Sequence, residues 1–193
     1  MEPTGPHKPL EYLPPSRIFL RMLRLAVLLA LGCATVLRAE SVTASAPSVP
    51  LEAEVSALVA GSQVTIVHFW APWCPNCKTE MGADGWAKFI AANPGAKFVF
   101  LNIWHKGQDP LPKLAAAGLG AQPNLTLLTH PNPSRKEADR MNTFLGLQVT
   151  WLPSTWIFRD GRMRFALNYG EVHFDMLQTL VDDARDKAKW DHD

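Results

Sequence analysis

The sequence has no basic stripe interleaved with aromatics, and its formal net charge is only +1 over 193 residues. That sets aside nucleic acid as a partner, because the electrostatic footprint of such a binder is missing. Cysteine is scarce: Cys33, Cys74 and Cys77 are the whole set. Without a second cysteine pair, the four-ligand site that structural zinc prefers has no obvious source. The longest apolar run, Leu25–Leu37, falls short of the about 20 residues that span a membrane. No internal repeat and no second folded domain can be discerned.

What is present points to a globular domain behind a targeting segment. Apolar residues make up 47% of the chain and seven residues are Trp, which argues against disorder. The run LAVLLALGCATVL (25–37) follows Arg17, Arg21 and Arg24, the layout of an export signal. Cleavage is expected near Ala39, with Ala44 as a second option, and Met22 is an alternative start. An uncleaved N-terminal anchor facing the periplasm is the rival reading, and lipidation at Cys33 a weaker one. The expected division is therefore 1–39 extension and signal, 40–50 linker (ESVTASAPSVP), and 51–193 folded domain. Cleavage would leave Cys74 and Cys77 as the only thiols of the exported protein.

Within the domain, periodicity predicts a helix over 51–60, ended by Gly61, and a buried strand over 64–70, VTIVHFW. A helix is expected from 75 to 92, opening on Pro75 and stopping at Asn93-Pro94-Gly95. A second buried strand follows at 97–104, then a short helix at 109–120 and a strand at 124–130. Ser134 with Glu137 three residues on reads as a capping box, predicting a helix over 134–147. STWIF (154–158) and MRFALNY (163–169) flank Asp160-Gly161, a strong hairpin signal, and an amphipathic helix closes the chain. Alternating helices and strands with a terminal hairpin imply an α/β fold, with a mixed central sheet flanked by helices.

The stretch HFWAPWCPNCKTE (68–80) carries the chemistry. A buried strand delivers Cys74 to the start of a helix, where unpaired N–H groups favour a negative charge. A thiolate is the species that attacks a disulfide, and this setting lowers a thiol's pKa. Cys77 lies one turn later on the same side, within reach of a mixed disulfide at Cys74. Spacing thus makes Cys74 the nucleophile and Cys77 the resolving thiol, with no cofactor beyond a redox-active Cys74–Cys77 disulfide.

VHFWAPWCPNCK, followed by Pro153 before a strand and an Asp-Gly hairpin, resembles the thioredoxin superfamily over about residues 51–189. The export signal and the stretch around 110–147 are similar to its exported TlpA-type branch, which implies a helix–strand–helix insertion. The resemblance implies that Pro153 is cis and faces the cysteine pair. It would leave the backbone at Leu152 free to pair with an extended substrate strand. Trp73 is expected to flank the thiol. Trp151 is a candidate substrate contact or else packs against the strand of Trp156. Trp73, Pro75, Asn76, Trp151 and Leu152 form the expected substrate-contact set.

The sequence also departs from that pattern. His68 stands where thioredoxins carry a buried acid, so it is either a core histidine or a proton relay. Phe100 replaces the lysine that often pairs with that acid. Gly82 stands where relatives have a helix-kinking proline. Glu80 resembles a glutamate common in exported relatives and is expected to be only a solvated or first-turn charge. The resemblance implies a monomeric reductant of disulfide-containing protein clients, kept reduced by a thiol-reducing electron donor in the membrane. Two other readings remain open. One is a Cu(I)-handling protein using the same thiols with His68 nearby. The other is a non-catalytic binding module.

Overall fold

In a computed structural model of the chain, residues 50–82, 85–168 and 170–190 are described. The expected signal and nearly all of the linker lie outside them. Helix α1 (Leu51–Val59) buries Val55 and Val59. Strand β1 (Thr65–Trp70) is buried at every position. Helices α2 (Pro75–Glu80) and α3 (Trp86–Ala92) follow, then strand β2 (Lys97–Asn102). Helix α4 (Leu111–Ala116) leads to strand β3 (Leu125–Thr129) and to two short strands, β4 (Thr143–Phe144) and β5 (Leu147–Gln148). Strands β6 (Ser154–Arg159) and β7 (Arg162–Leu167) precede helices α5 (Phe174–Arg185) and α6 (Lys187–Trp190).

Five strands form one mixed sheet in the order β3-β2-β1-β6-β7. The pairs β1/β2 and β2/β3 are parallel, whereas β1/β6 and β6/β7 are antiparallel. The two β-branched and aromatic strands read as fully buried, β1 and β2, sit centrally, as such runs must. The Asp160-Gly161 hairpin forms, with φ of 53° and 73° at its two turn residues, as a two-residue turn of right-handed twist requires. Helix α5 turns Leu177, Val181 and Ala184 inward. Arg159, buried at the end of β6, donates from Nη1 to the carbonyls of Ala184 and Arg185 and so ties α5 to the sheet.

Two expected helices are corrected. The single helix over 75–92 is two, because the chain turns between Glu80 and Trp86. A Cβ at Gly85 would run into the Glu80 carbonyl, so this turn admits glycine alone. The helix over 134–147 does not form. Asn132 Oδ1 accepts from Ser134 N–H at 2.9 Å, and Ser134 Oγ from Lys136 N–H at 3.2 Å. These local bonds compete with a helix and hold the segment in turns. The β4–β5 hairpin replaces its end, with Leu145 and Gly146 at φ of 50° and 73°. The insertion around 110–147 is thus helix, strand and hairpin.

An aromatic cluster fills the space beside β1 and β2. The Trp86 ring lies edge-on to Phe89, Phe98, Phe100 and Phe174, with centroids 5.1–6.5 Å apart. Each such ring fully buried contributes about 1.5–3 kcal/mol. The chain turn at Gly85 is what lets Trp86 enter this cluster, and Trp86 in turn fixes the surroundings of the site.

Candidate active site

Cys74 is the N-cap of α2, and Pro75 occupies the first helical position, where no N–H is needed. The Cys77 backbone N–H donates to Cys74 Sγ at 3.3 Å. The Cys74 thiol is lowered to about 7, first by its hydrogen bond with the Cys77 thiol. The N–H groups of Cys77 and Asn76 and the charge of Lys78 add to this against the opposing effect of burial. Cys77 is completely buried, and burial pushes its thiol far up, reinforced by the hydrogen bond to Cys74 and by that residue's negative charge. The two sulfurs are free thiols with opposite proton affinities. One ionises near neutrality and the other stays protonated.

Glu80 corrects the expectation of a solvated charge. It lies two turns beyond Cys74 and one beyond Cys77, and only 3% of it is exposed. Its Oε1 accepts from Val172 N–H at 2.6 Å and its Oε2 from the Trp86 indole N–H at 3.1 Å. Burial raises its carboxyl to about 7, with the negative charge of Cys74 adding to the rise, while the two hydrogen bonds oppose it. Helix α2 thus places a buried acid against His68 of β1. A cleft of about 230 Å³ bounded by Thr79, Gly85 and Phe174 reaches Glu80. A smaller one of about 30 Å³ reaches it on the side of Pro153 and Thr155, with room for a water.

His68 faces Glu80 from β1, with Nε2 3.3 Å from Oε2. The contact is close but not aligned as a hydrogen bond, and Nε2 has no hydrogen-bond partner among the described residues. Nδ1 meets Thr155 Oγ1 at 2.9 Å across the β1/β6 register. Trp86 and Phe100 rings lie 4.5 and 4.9 Å from the imidazole. Burial in this apolar setting lowers His68 to about 3, so it is a neutral imidazole at neutral pH. Phe100 stands opposite His68 in the β1/β2 register.

The Leu152–Pro153 peptide is cis. Leu152 is buried, and its peptide groups make no hydrogen bond among the described residues. In front of Cys74 opens a recess of about 390 Å³ that brings together Trp73, Pro75, Asn76, Trp151 and Leu152. Trp151 is 48% exposed at the rim of the recess. Pro153 borders the small cleft at Glu80 and not this recess. Trp104, Arg135 and Arg140 also line the recess, and no feature of the sequence singled them out. Among the described residues, no three His, Cys, Asp or Glu side chains gather into a metal-holding group. No described helix is long and apolar enough to cross a membrane.

A sequence model of the thioredoxin-like domain matches residues 51–185. No curated protein matches the chain. Among solved structures, a secreted Mycobacterium tuberculosis disulfide oxidoreductase homologous to E. coli DsbE is 22% identical, with 64% of this chain and 84% of that one covered and a TM-score of 0.47. StoA from Bacillus subtilis is 21% identical, with 62% and 83% covered and a TM-score of 0.45. A secreted thiol-disulfide isomerase from Corynebacterium glutamicum is 23% identical, with 66% and 75% covered and a TM-score of 0.45.

Proposed function

Because the chain belongs to the thioredoxin-like domain family, we propose that it is an exported thiol–disulfide oxidoreductase that reduces disulfides in protein clients. The observation that carries this is the opposed pair of thiols, Cys74 lowered to about 7 at the recess and Cys77 buried and held protonated behind it. The Cys74 thiolate attacks one sulfur of a client disulfide. A Cys74–client S–S bond forms, the client bond breaks, and the departing client thiolate takes a proton from water. Cys74 has then lost its negative charge and its hydrogen bond to the Cys77 thiol. Two of the four causes that raise Cys77 vanish, and burial and the nearby charge of Glu80 remain. Cys77 passes its proton to Glu80, attacks Cys74 Sγ and releases the second client thiolate. Two electrons have moved from the dithiol to the client, and Cys74–Cys77 is left as a disulfide. Neutral His68 stands beside Glu80, able to share that proton through Nε2.

A nucleophile lowered only to about 7 supports the reducing direction. Within this fold, pairs ionising near ~7 are reductants, and those near ~3.5 are strong oxidants because their dithiol form is stabilised. The spent disulfide would be restored by a thiol-reducing donor in the membrane. The arginine-flanked apolar segment 25–37 supports export, cleaved near Ala39 or retained as an anchor, and the domain acts as a monomer. Leu152 offers its peptide groups to an extended client segment, with Trp73, Pro75, Asn76 and Trp151 around it.

Insulin reduction with dithiothreitol tests the reading. The parent protein should accelerate it, Cys74→Ala should abolish the acceleration, and the pair's potential should lie nearer about −270 than about −120 mV. Absence of reductase activity together with tight, stoichiometric Cu(I) binding would replace this function with copper handling. A potential well below about −300 mV would indicate a static, structural disulfide.

A further inference from the structure

The recess in front of Cys74 is lined by two guanidinium groups fixed in an unusual way. Arg135 stacks on the face of Trp73, with Cζ 3.8 Å from the ring centroid, and Arg140 on Trp104 at 4.3 Å. The two indoles are themselves anchored. Trp73 Nε1–H donates to the Trp104 carbonyl at 2.7 Å, and Trp104 Nε1–H to the Met141 carbonyl at 2.6 Å. Stacking engages a guanidinium's face and leaves its N–H edges for a planar acceptor such as a carboxylate. Neither arginine forms an ion pair among the described residues. Arg140 Nε is buried with no hydrogen-bond partner among the described residues. No described acidic residue lines the recess. The acids of the same segment, Glu137 and Asp139, are exposed elsewhere. Lys106 Nζ, 5.9 Å from the Trp73 ring, extends the positive charge.

We propose that Arg135 and Arg140 select client disulfides whose cysteine is flanked by acidic residues, binding the flanking carboxylates while Cys74 takes the sulfur. This rests on Cys74 being the attacking thiol. A polypeptide fits better than a small disulfide, because half-exposed Trp151 and the unpaired peptide groups of Leu152 continue the recess as a surface for an extended chain. The segment that carries the arginines is the one held in turns by Asn132 and Ser134, so those local bonds set the selectivity.

The test uses the full chain, reduced and freed of reductant, in single turnover against three disulfide-linked peptides. They are identical except for acidic, neutral or basic residues beside the cysteine. The acidic peptide should react about tenfold faster than the neutral one at low salt. The preference should shrink as salt rises from about 0.05 to about 0.5 M, which screens charges beyond a few ångströms. Arg135→Glu with Arg140→Glu should invert the order, favouring the basic peptide. Equal rates on all three peptides with the parent protein would overturn the proposal, as would a double variant slowed equally on all three. If glutathione disulfide outpaces the acidic peptide and loses that advantage in the double variant, the site serves a small carboxylate-bearing disulfide and the client assignment is wrong. No reaction with any peptide would instead sink the oxidoreductase reading on which this rests.

Discussion

Glu80 Oε2 and His68 Nε2 lie 3.3 Å apart inside the protein, one delivered by the helix that carries the cysteines and the other by the central strand. Both are buried, and burial moves them toward neutrality from opposite sides, Glu80 up to about 7 and His68 down to about 3. A carboxyl that titrates near neutrality beside two thiols can take up a proton and give it back. In the proposed reaction the pair takes the part of the proton acceptor for Cys77.

Glu80→Gln should then slow the resolving step and leave the first attack by Cys74 comparatively unaffected. Loss of a positioned proton acceptor costs on the order of a hundredfold. Removing the negative charge that helps raise Cys77 works the other way, but it is the smallest cause of that rise. Stopped-flow measurement of mixed-disulfide decay should show the slowing and should lose its inflection near pH 7. An unchanged decay rate would remove Glu80 from the proton path.

Stability should carry the same signature. Glu80 holds its proton more firmly folded than unfolded, so its contribution is complete below about 4.5 and is lost as the pH rises through about 7. His68 has the opposite sign: its contribution is complete above 6.5 and is lost as the pH falls through about 3. The two oppose each other in the parent protein. Urea denaturation of the reduced protein should show Glu80→Gln gaining on the parent between pH 4.5 and 7, by on the order of 3 kcal/mol. Parallel profiles would mean that Glu80 ionises in the folded protein as readily as in the unfolded one.

Gly85→Ala should destabilise the domain by about 1–3 kcal/mol, because the new methyl meets the Glu80 carbonyl and the turn must move. The movement would also withdraw the Trp86 indole from Glu80, so the variant should share part of the Glu80→Gln defect in mixed-disulfide decay. Chemical denaturation and the same stopped-flow assay check both. A variant as stable as the parent would show that the turn adapts freely.

The five strands of the main sheet, the terminal hairpin and the cysteine pair were legible in the sequence because each is a local pattern. Buried runs mark β1 and β2, Asp160-Gly161 marks a tight turn, and Pro75 marks a helix start. What was not legible depends on contacts between distant segments. Glu80 reads as a surface charge until the turn at Gly85 folds Trp86 over it and Val172 arrives to donate an N–H. Ser134 and Glu137 have helix-start spacing, yet Asn132 diverts Ser134 into a turn. Arg135 and Arg140 carry no motif, and only the fold sets them over Trp73 and Trp104. One signal was available: Glu80 follows Cys77 by three residues, which puts both on one helical face.

The division of labour between the two cysteines is tested most directly by trapping. The Cys77→Ala protein, mixed with a disulfide-bonded client peptide, should accumulate one covalent adduct whose peptide sulfur maps to Cys74 by mass spectrometry. The adduct should form with a rate that rises with pH through the ionisation of Cys74, at a half-point above the parent's, because the variant lacks the Cys77 thiol whose hydrogen bond is the first cause of the lowering. Absence of an adduct in this variant, or an equally stable adduct in Cys74→Ala, would contradict the account.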